Sequence, residues 1–211
     1  MKFYESGDNR KPVIFLFPGT CCLYSSFDHV LDGLHSYFYT VTVSYDGFDP
    51  NEKTEFYSME DECEKIEQEI RKKYGGRIYL VAKIQSSMVV PFMYKMIHTG
   101  VLPKFMQKKL NKTDEVKKEL YNGFLNMFGI GKGGNPWITK QSIYNQFYSD
   151  LVTKVQHNMD VPNTKIHVFY ATKMGKKYEK RYYTYFKNPD IHRFNMQHEE
   201  LFCCHSAEWV E

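Results

Sequence analysis

The chain has 211 residues, enough for one domain with a real core, and its 42% hydrophobic and 17% aromatic content points to a globular protein rather than a disordered one. Its 28 basic and 25 acidic residues are mixed along the chain, and a net charge of +3 leaves no electrostatic footprint for nucleic acid. Asp8, Arg10 and Lys11 precede the first apolar run, which Pro18 and Gly19 cut short, so neither a signal peptide nor a membrane span is expected. The cysteines form two adjacent pairs, Cys21-Cys22 and Cys203-Cys204, and the lone Cys63, which predicts reduced thiols in a cytoplasm. Cys-x-x-Cys does not occur and no His/Cys cluster has metal spacing, so neither a metal nor another cofactor is expected.

Taken in order, residues 2–5 read as a short edge strand and Asp8-Asn9-Arg10 as a turn. Val13-Ile-Phe-Leu-Phe17 is a buried strand ended by Pro18-Gly19-Thr20. Ser25 or Ser26 can cap a helix to about Tyr37, with Phe27, Val30, Leu31 and Leu34 on its apolar face. Residues 38–45 alternate as a third strand, followed by a loop at Asp46-Gly47 and Asp49-Pro50. Ser58-x-x-Asp61 opens a charged helix whose buried stripe is Cys63, Ile66 and Ile70, and Gly75-Gly76 ends it.

The next stretch, Arg77 to Val90, predicts a buried strand, a sharp turn and a helix start. Ala82-Lys83-Ile84-Gln85-Ser86 sits where a nucleophile elbow, Gly-x-Ser-x-Gly, would sit. The elbow needs small residues two before and two after its centre, because strand and helix backbones meet closely there. Ala82 and Ser86 satisfy that, and the centre is Ile84, which has no hydroxyl. Centring on Ser86 or Ser87 puts Ile84 and Met88, or Gln85 and Val89, at the small positions and crowds the turn. A β-branched residue at such a centre should be strained.

The following helix carries Phe92, Met93, Met96 and Ile97, with Pro91 predicting a kink or a late start. Residues 101–137 break the rhythm with amphipathic helix built on Val116, Leu120, Phe124 and Phe128. Gly129-Ile-Gly-Lys-Gly-Gly134 follows no strand, and Lys132 is not followed by Ser or Thr, so a lid hinge is expected there rather than a phosphate loop. Thr139 or Ser142 opens a helix with Ile143, Phe147, Leu151 and Val155 on one stripe. A strand over 165–171, a helix marked by Tyr178, Tyr182 and Phe186, a strand over 190–194 and a terminal helix over 206–210 complete the chain. This alternation predicts an α/β fold, a mostly parallel sheet with helices on both faces.

In this order the segments resemble the α/β-hydrolase superfamily over nearly the full length. Pro18-Gly19-Thr20 is similar to the His-Gly-x turn that holds an oxyanion-hole amide, and Met196-Gln197-His198-Glu199-Glu200 to the Gly-His turn that carries the catalytic His. The resemblance implies one domain over 1–211 with a small helical cap at about 101–137. In the family a Ser attacks, a His takes its proton and an acid fixes the His. Here Ile84 holds the nucleophile position and Met174 the acid position, within Ala171-Thr172-Lys173-Met174; Lys173 holds it if the register shifts by one. His198 alone matches. The backbone N–H groups of Thr20 and Gln85 would form the oxyanion pair, with Cys21 beside them, and these donors would converge with His198 on one cavity under the cap.

The substitutions imply a protein that lacks serine hydrolase activity and binds a small apolar or acyl ligand in the remnant pocket. An esterase or thioesterase using a displaced nucleophile with His198, and an interaction or scaffold protein, are the alternatives. Cys21 or Cys22 could pair with His198 or simply pack; Glu179 could replace the acid or face solvent. Tyr170 and Tyr178 read as packing residues, and Cys203-Cys204-His205 has poor geometry for a metal. A small molecule is the expected partner, with no nucleic acid and no membrane, and the oligomeric state is open.

Overall fold

The computed structural model of the chain describes residues 1–74, 78–82 and 90–211. They fall into two compact units, Met1–Thr153 with Val210, and Lys154–Trp209 with Glu211.

The first unit holds β1 (Lys2–Ser6), β2 (Val13–Phe17), α1 (Asp28–His35), β3 (Tyr39–Ser44), α2 (Met59–Lys73), β4 (Ile78–Ala82), α3 (Val90–Thr99), α4 (Lys104–Leu110), α5 (Glu115–Met127) and α6 (Lys140–Val152). Its sheet has the order β1-β3-β2-β4. β2 runs parallel to β3 and β4, and β1 is antiparallel on β3. Phe17 is paired with Ala82, so the chain leaves β2 and β4 at the same edge of the sheet.

The interior strands are apolar for the expected reason: Phe15, Leu16, Val41 and Val43 have no solvent exposure. Thr40, Thr42 and Ser44 on β3 are buried too, because β3 lies between two strands with both faces covered. Thr40 is satisfied there: its Oγ1 lies 2.7 Å from Ser6 Oγ and 3.1 Å from His35 Nε2.

Several local expectations are corrected. Ser25 and Ser26 lie inside a 3₁₀ turn (Tyr24–Phe27) and do not cap α1, which ends at His35. Ser58 does cap α2, accepting from the Asp61 N–H at 3.2 Å. The buried stripe of α2 starts one residue earlier than predicted: Glu62 is fully buried and Cys63 is exposed. Glu62 is drawn inward because its Oε2 accepts from the buried Asp46 N–H at 3.1 Å and its Oε1 from Lys65 Nζ at 3.2 Å. Burial holds the Glu62 carboxyl above its ordinary pKa, against the pull of those donors.

On α6 the apolar stripe stops at Phe147; Leu151 and Val155 are exposed, and Ser142, Gln146 and Ser149 are buried instead. The glycine-rich segment is docked rather than poised as a hinge. The N–H groups of Gly131 and Asn135 donate to Gly100 O and Ile97 O, at 3.1 and 2.9 Å, closing the end of α3.

The second unit holds β5 (His167–Ala171), a 3₁₀ turn (Thr172–Met174), α7 (Lys176–Tyr185), β6 (Asp190–Phe194), α8 (Glu200–Cys204) and α9 (Ser206–Val210). β5 and β6 are parallel, from His167 opposite Asp190 to Ala171 opposite Phe194. Val168 and Tyr170 are buried, and His167 and Phe169 on the other face are exposed. A single sheet was expected. The described strands form two, because β4 is bonded only on its β2 side and β5 only on its β6 side among the described residues. No helix among them is long and apolar enough to cross a membrane, and no disulfide joins the cysteines.

Candidate functional site

Where β2 ends, Pro18 and Gly19 stop the strand and the chain turns sharply. The Cys22 N–H donates to Gly19 O at 2.9 Å, and Cys21 takes a left-handed φ of 57°, uncommon outside glycine. Cys21 is fully buried, and its N–H donates to Gln146 Oε1 at 2.6 Å. One turn along α6, Asp150 Oδ2 accepts from Thr20 Oγ1 at 2.6 Å. On the other side the Leu23 N–H donates to Met127 O at 3.0 Å. The loop is therefore held between α5 and α6.

The same polar face of α6 ties down a second loop. Ser142 Oγ accepts from the Phe56 N–H at 3.2 Å and Asn145 Nδ2 donates to Phe56 O at 2.8 Å. Removing one of these acceptors leaves a buried donor without a partner. Gln146→Ala should lower unfolding free energy by about 2–4 kcal/mol, combining an orphaned Cys21 N–H with a small cavity. Urea unfolding measures this; a loss within experimental error would mean that the loop finds another acceptor.

The electrostatics of this loop argue against Cys21 as a nucleophile. Burial pushes the Cys21 thiol well above its ordinary pKa, and the neighbouring Cys22 and Asp150 add to it. Partial burial also raises the Asp150 carboxyl above its ordinary value, with the Thr20 hydroxyl opposing. A carboxyl raised in the folded state binds protons more readily folded than unfolded, so stability falls as pH rises from the unfolded pKa through the folded one. Asp150→Asn keeps an acceptor for Thr20 and removes the titration. The variant should therefore gain on the wild type as pH rises from about 4 towards neutrality, measured as urea midpoints across that range. Because Asp150 keeps solvent contact, the gain should be small.

In the second unit, parallel β5 and β6 release their chains at one end. The Lys173 N–H donates to Met196 O at 3.3 Å, joining the turn after β5 to the turn after β6. Gly175, at φ 91°, follows Met174, and Tyr170 OH donates to Gly175 O at 2.8 Å. Met174 is half-buried on that turn. His198 Nε2 lies 3.7 Å from Glu199 Oε1. Glu179 is ion-paired rather than solvated, accepting from Arg193 Nε at 2.7 Å. Tyr170 packs as expected, but Tyr178 is exposed, with the Arg181 guanidinium 5.0 Å from its ring centre.

The structure thus brings Thr20 and Cys21 together with Gln146 and Asp150 in the first unit, and the Met174 turn together with the His198 turn in the second. Ile84 and Gln85, with the elbow and its expected strain, lie outside the described residues. Gln146 and Asp150 were not predicted. Their signal was a polar stripe, Ser142, Gln146 and Asp150 at spacing four, beside the apolar Ile143 and Phe147.

No family model matches the sequence, and neither does any curated protein. Solved structures are similar over almost whole chains. An alpha/beta hydrolase family protein, so described, from Desulfitobacterium hafniense aligns over 99% of this chain and 97% of its own, at 12% identity and TM-score 0.66. A lipase-esterase related protein from Clostridium acetobutylicum aligns over 99% and 96%, at 15% identity and TM-score 0.60. The enol-lactonase from Burkholderia xenovorans aligns over 99% and 93%, at 10% identity and TM-score 0.60. The likeness spans both units of the chain, and the fold is that of the α/β-hydrolase superfamily, the one its motifs resemble.

Proposed function

We propose that this α/β-hydrolase-fold protein lacks serine hydrolase activity and binds a small apolar or acyl ligand in the pocket that a hydrolase would use for catalysis. In this reading the strands belong to a mostly parallel sheet with helices on both faces, and α4 and α5 form the cap. The residue set at the triad positions carries the reading: Ile84 has no nucleophilic atom, and Met174 cannot accept a proton from a histidine ring. The deep burial of Cys21 supports it, since a protonated, inaccessible thiol cannot stand in for the serine. The lipase-esterase related protein and the enol-lactonase among the similar folds make acyl compounds the class to test first.

The test combines a fluorophosphonate probe, a thiol-reactive probe and a thermal-shift screen of acyl compounds of increasing chain length. The proposal expects no active-site labelling by either probe, no ester turnover above background, and a melting temperature raised by a subset of the acyl series. A ligand at a hundred times its Kd adds about 2.7 kcal/mol to stability. Covalent labelling that disappears in His198→Ala would instead establish an active hydrolase with a displaced nucleophile.

A further inference from the structure

We propose that His167, Asp190 and His192 form a binding site for a divalent transition-metal ion, with Zn²⁺ the best fit. The site arises from strand register. In the parallel pair of β5 and β6, His167 is opposite Asp190 and Phe169 is opposite His192, and alternate residues share a face. One face of this small sheet therefore collects two imidazoles and a carboxylate at its N-terminal end.

The distances match a coordination sphere. His167 Nδ1 lies 3.1 Å from His192 Nε2 and 3.3 Å from Asp190 Oδ2, and His192 Nε2 lies 3.6 Å from Asp190 Oδ2. Zn–N and Zn–O bonds of about 2.0–2.1 Å in a tetrahedron put neighbouring ligand atoms about 3.3 Å apart. The three atoms thus span one face of a tetrahedron and leave the fourth vertex open. Two imidazoles and one carboxylate suit a borderline ion such as Zn²⁺ and do not suit Mg²⁺ or Ca²⁺.

The ligands are also held in place. They sit on strands rather than on a loop, and their rings stack: His167 on His192 and His192 on Phe169, each pair with centroids 5.4 Å apart. A cavity of about 410 Å³ begins beside the site, with His167 and Asp190 in its wall along with Lys165, Lys187 and Asp160. A water or a small ligand has room in that cavity. The site lies at the start of β5 and β6, a strand's length of about 13 Å from the turns that carry Met174 and His198. It is therefore separate from the pocket proposed above, and does not depend on that reading.

The experiment uses the full chain without a polyhistidine tag. Zn²⁺ titration by calorimetry, Co²⁺ absorption spectra and imidazole NMR are recorded on the wild type, Asp190→Asn, His192→Ala and a His205→Ala control. The expected result is one ion bound in the micromolar range or tighter, with Co²⁺ d–d bands and no thiolate charge-transfer band. Asp190→Asn and His192→Ala should each weaken binding by at least about 10–100-fold, the range reached by losing a mere supporting contact. His205→Ala should change nothing. In the wild type, Zn²⁺ should shift the imidazole signals of His167 and His192 selectively, a readout that does not depend on any variant folding. Absence of micromolar binding, a cysteine charge-transfer band, or shifts confined to other histidines would overturn the proposal and leave the cluster as a hydrogen-bonded surface network.

Discussion

Gly134→Ala should lower the unfolding free energy by about 2–5 kcal/mol, and Gly133→Ala, one residue away, by about 1–2. Both glycines have a left-handed φ, 77° and 91°, so both substitutions carry the cost of placing a Cβ in that region. They differ in what the Cβ meets. At Gly134 it would lie 2.5 Å from Thr99 C, 2.6 Å from His98 O and 2.7 Å from Gly100 N. All three are backbone atoms at the end of α3, and no rotamer change can move them. At Gly133 nothing lies within 4 Å. Urea unfolding of the two variants separates a docked segment from a hinge. Equal and small losses would mean that residues 129–135 leave α3 readily, as a lid hinge must, and would remove the reason for placing them in the fixed part of the fold.

That segment shows where sequence reading reached its limit. Four glycines around a lysine carry a strong local signal of conformational freedom, but the reason for that freedom lies elsewhere in the chain. Gly134 is needed because α3 ends against it. Elements defined by local chemistry were legible: Ser58 capping α2, the last strand over Asp190–Phe194, and the terminal helix over Ser206–Val210. Features defined by a distant partner were not. The burial of Glu62 could not be read locally, because its donor, the Asp46 N–H, lies in the loop after β3.

The role of the polar stripe of α6 was not legible, because the amides it satisfies, at Cys21 and Phe56, are far away in the chain. His167 and His192 lie on separate strands, and only the parallel register brings them together. At the candidate site, the turns carrying Met174 and His198 were placed correctly after their strands, since strand ends are marked by composition. Their direct link, the Lys173 N–H to Met196 O, was not legible.

The largest functional effect should come from rebuilding the triad, and one substitution should not achieve it. Ile84→Ser alone should leave turnover of a small activated ester close to background. On the proposed reading the new hydroxyl meets His198, but Met174 can neither orient that ring nor stabilise its charged form. Losing the acid from a working triad costs roughly 10⁴-fold in turnover. Ile84→Ser with Met174→Asp should therefore exceed either single variant by far more than the product of their effects, because triad members act as a unit. The turn that carries position 174 is held in place, since Tyr170 OH donates to Gly175 O and the Lys173 N–H to Met196 O.

Glu199 works against the repair. Its Oε1 lies 3.7 Å from His198 Nε2, the nitrogen that must take the serine proton in a triad. Glu199→Gln added to the double variant should raise turnover further, and added to the wild type should do nothing. Initial rates of all six proteins on one activated ester decide the matter. If Ile84→Ser alone matched the double variant, Met174 would not be the missing acid. Glu179, the acid nearest along the chain to the turn after β5, would then be the next residue to test.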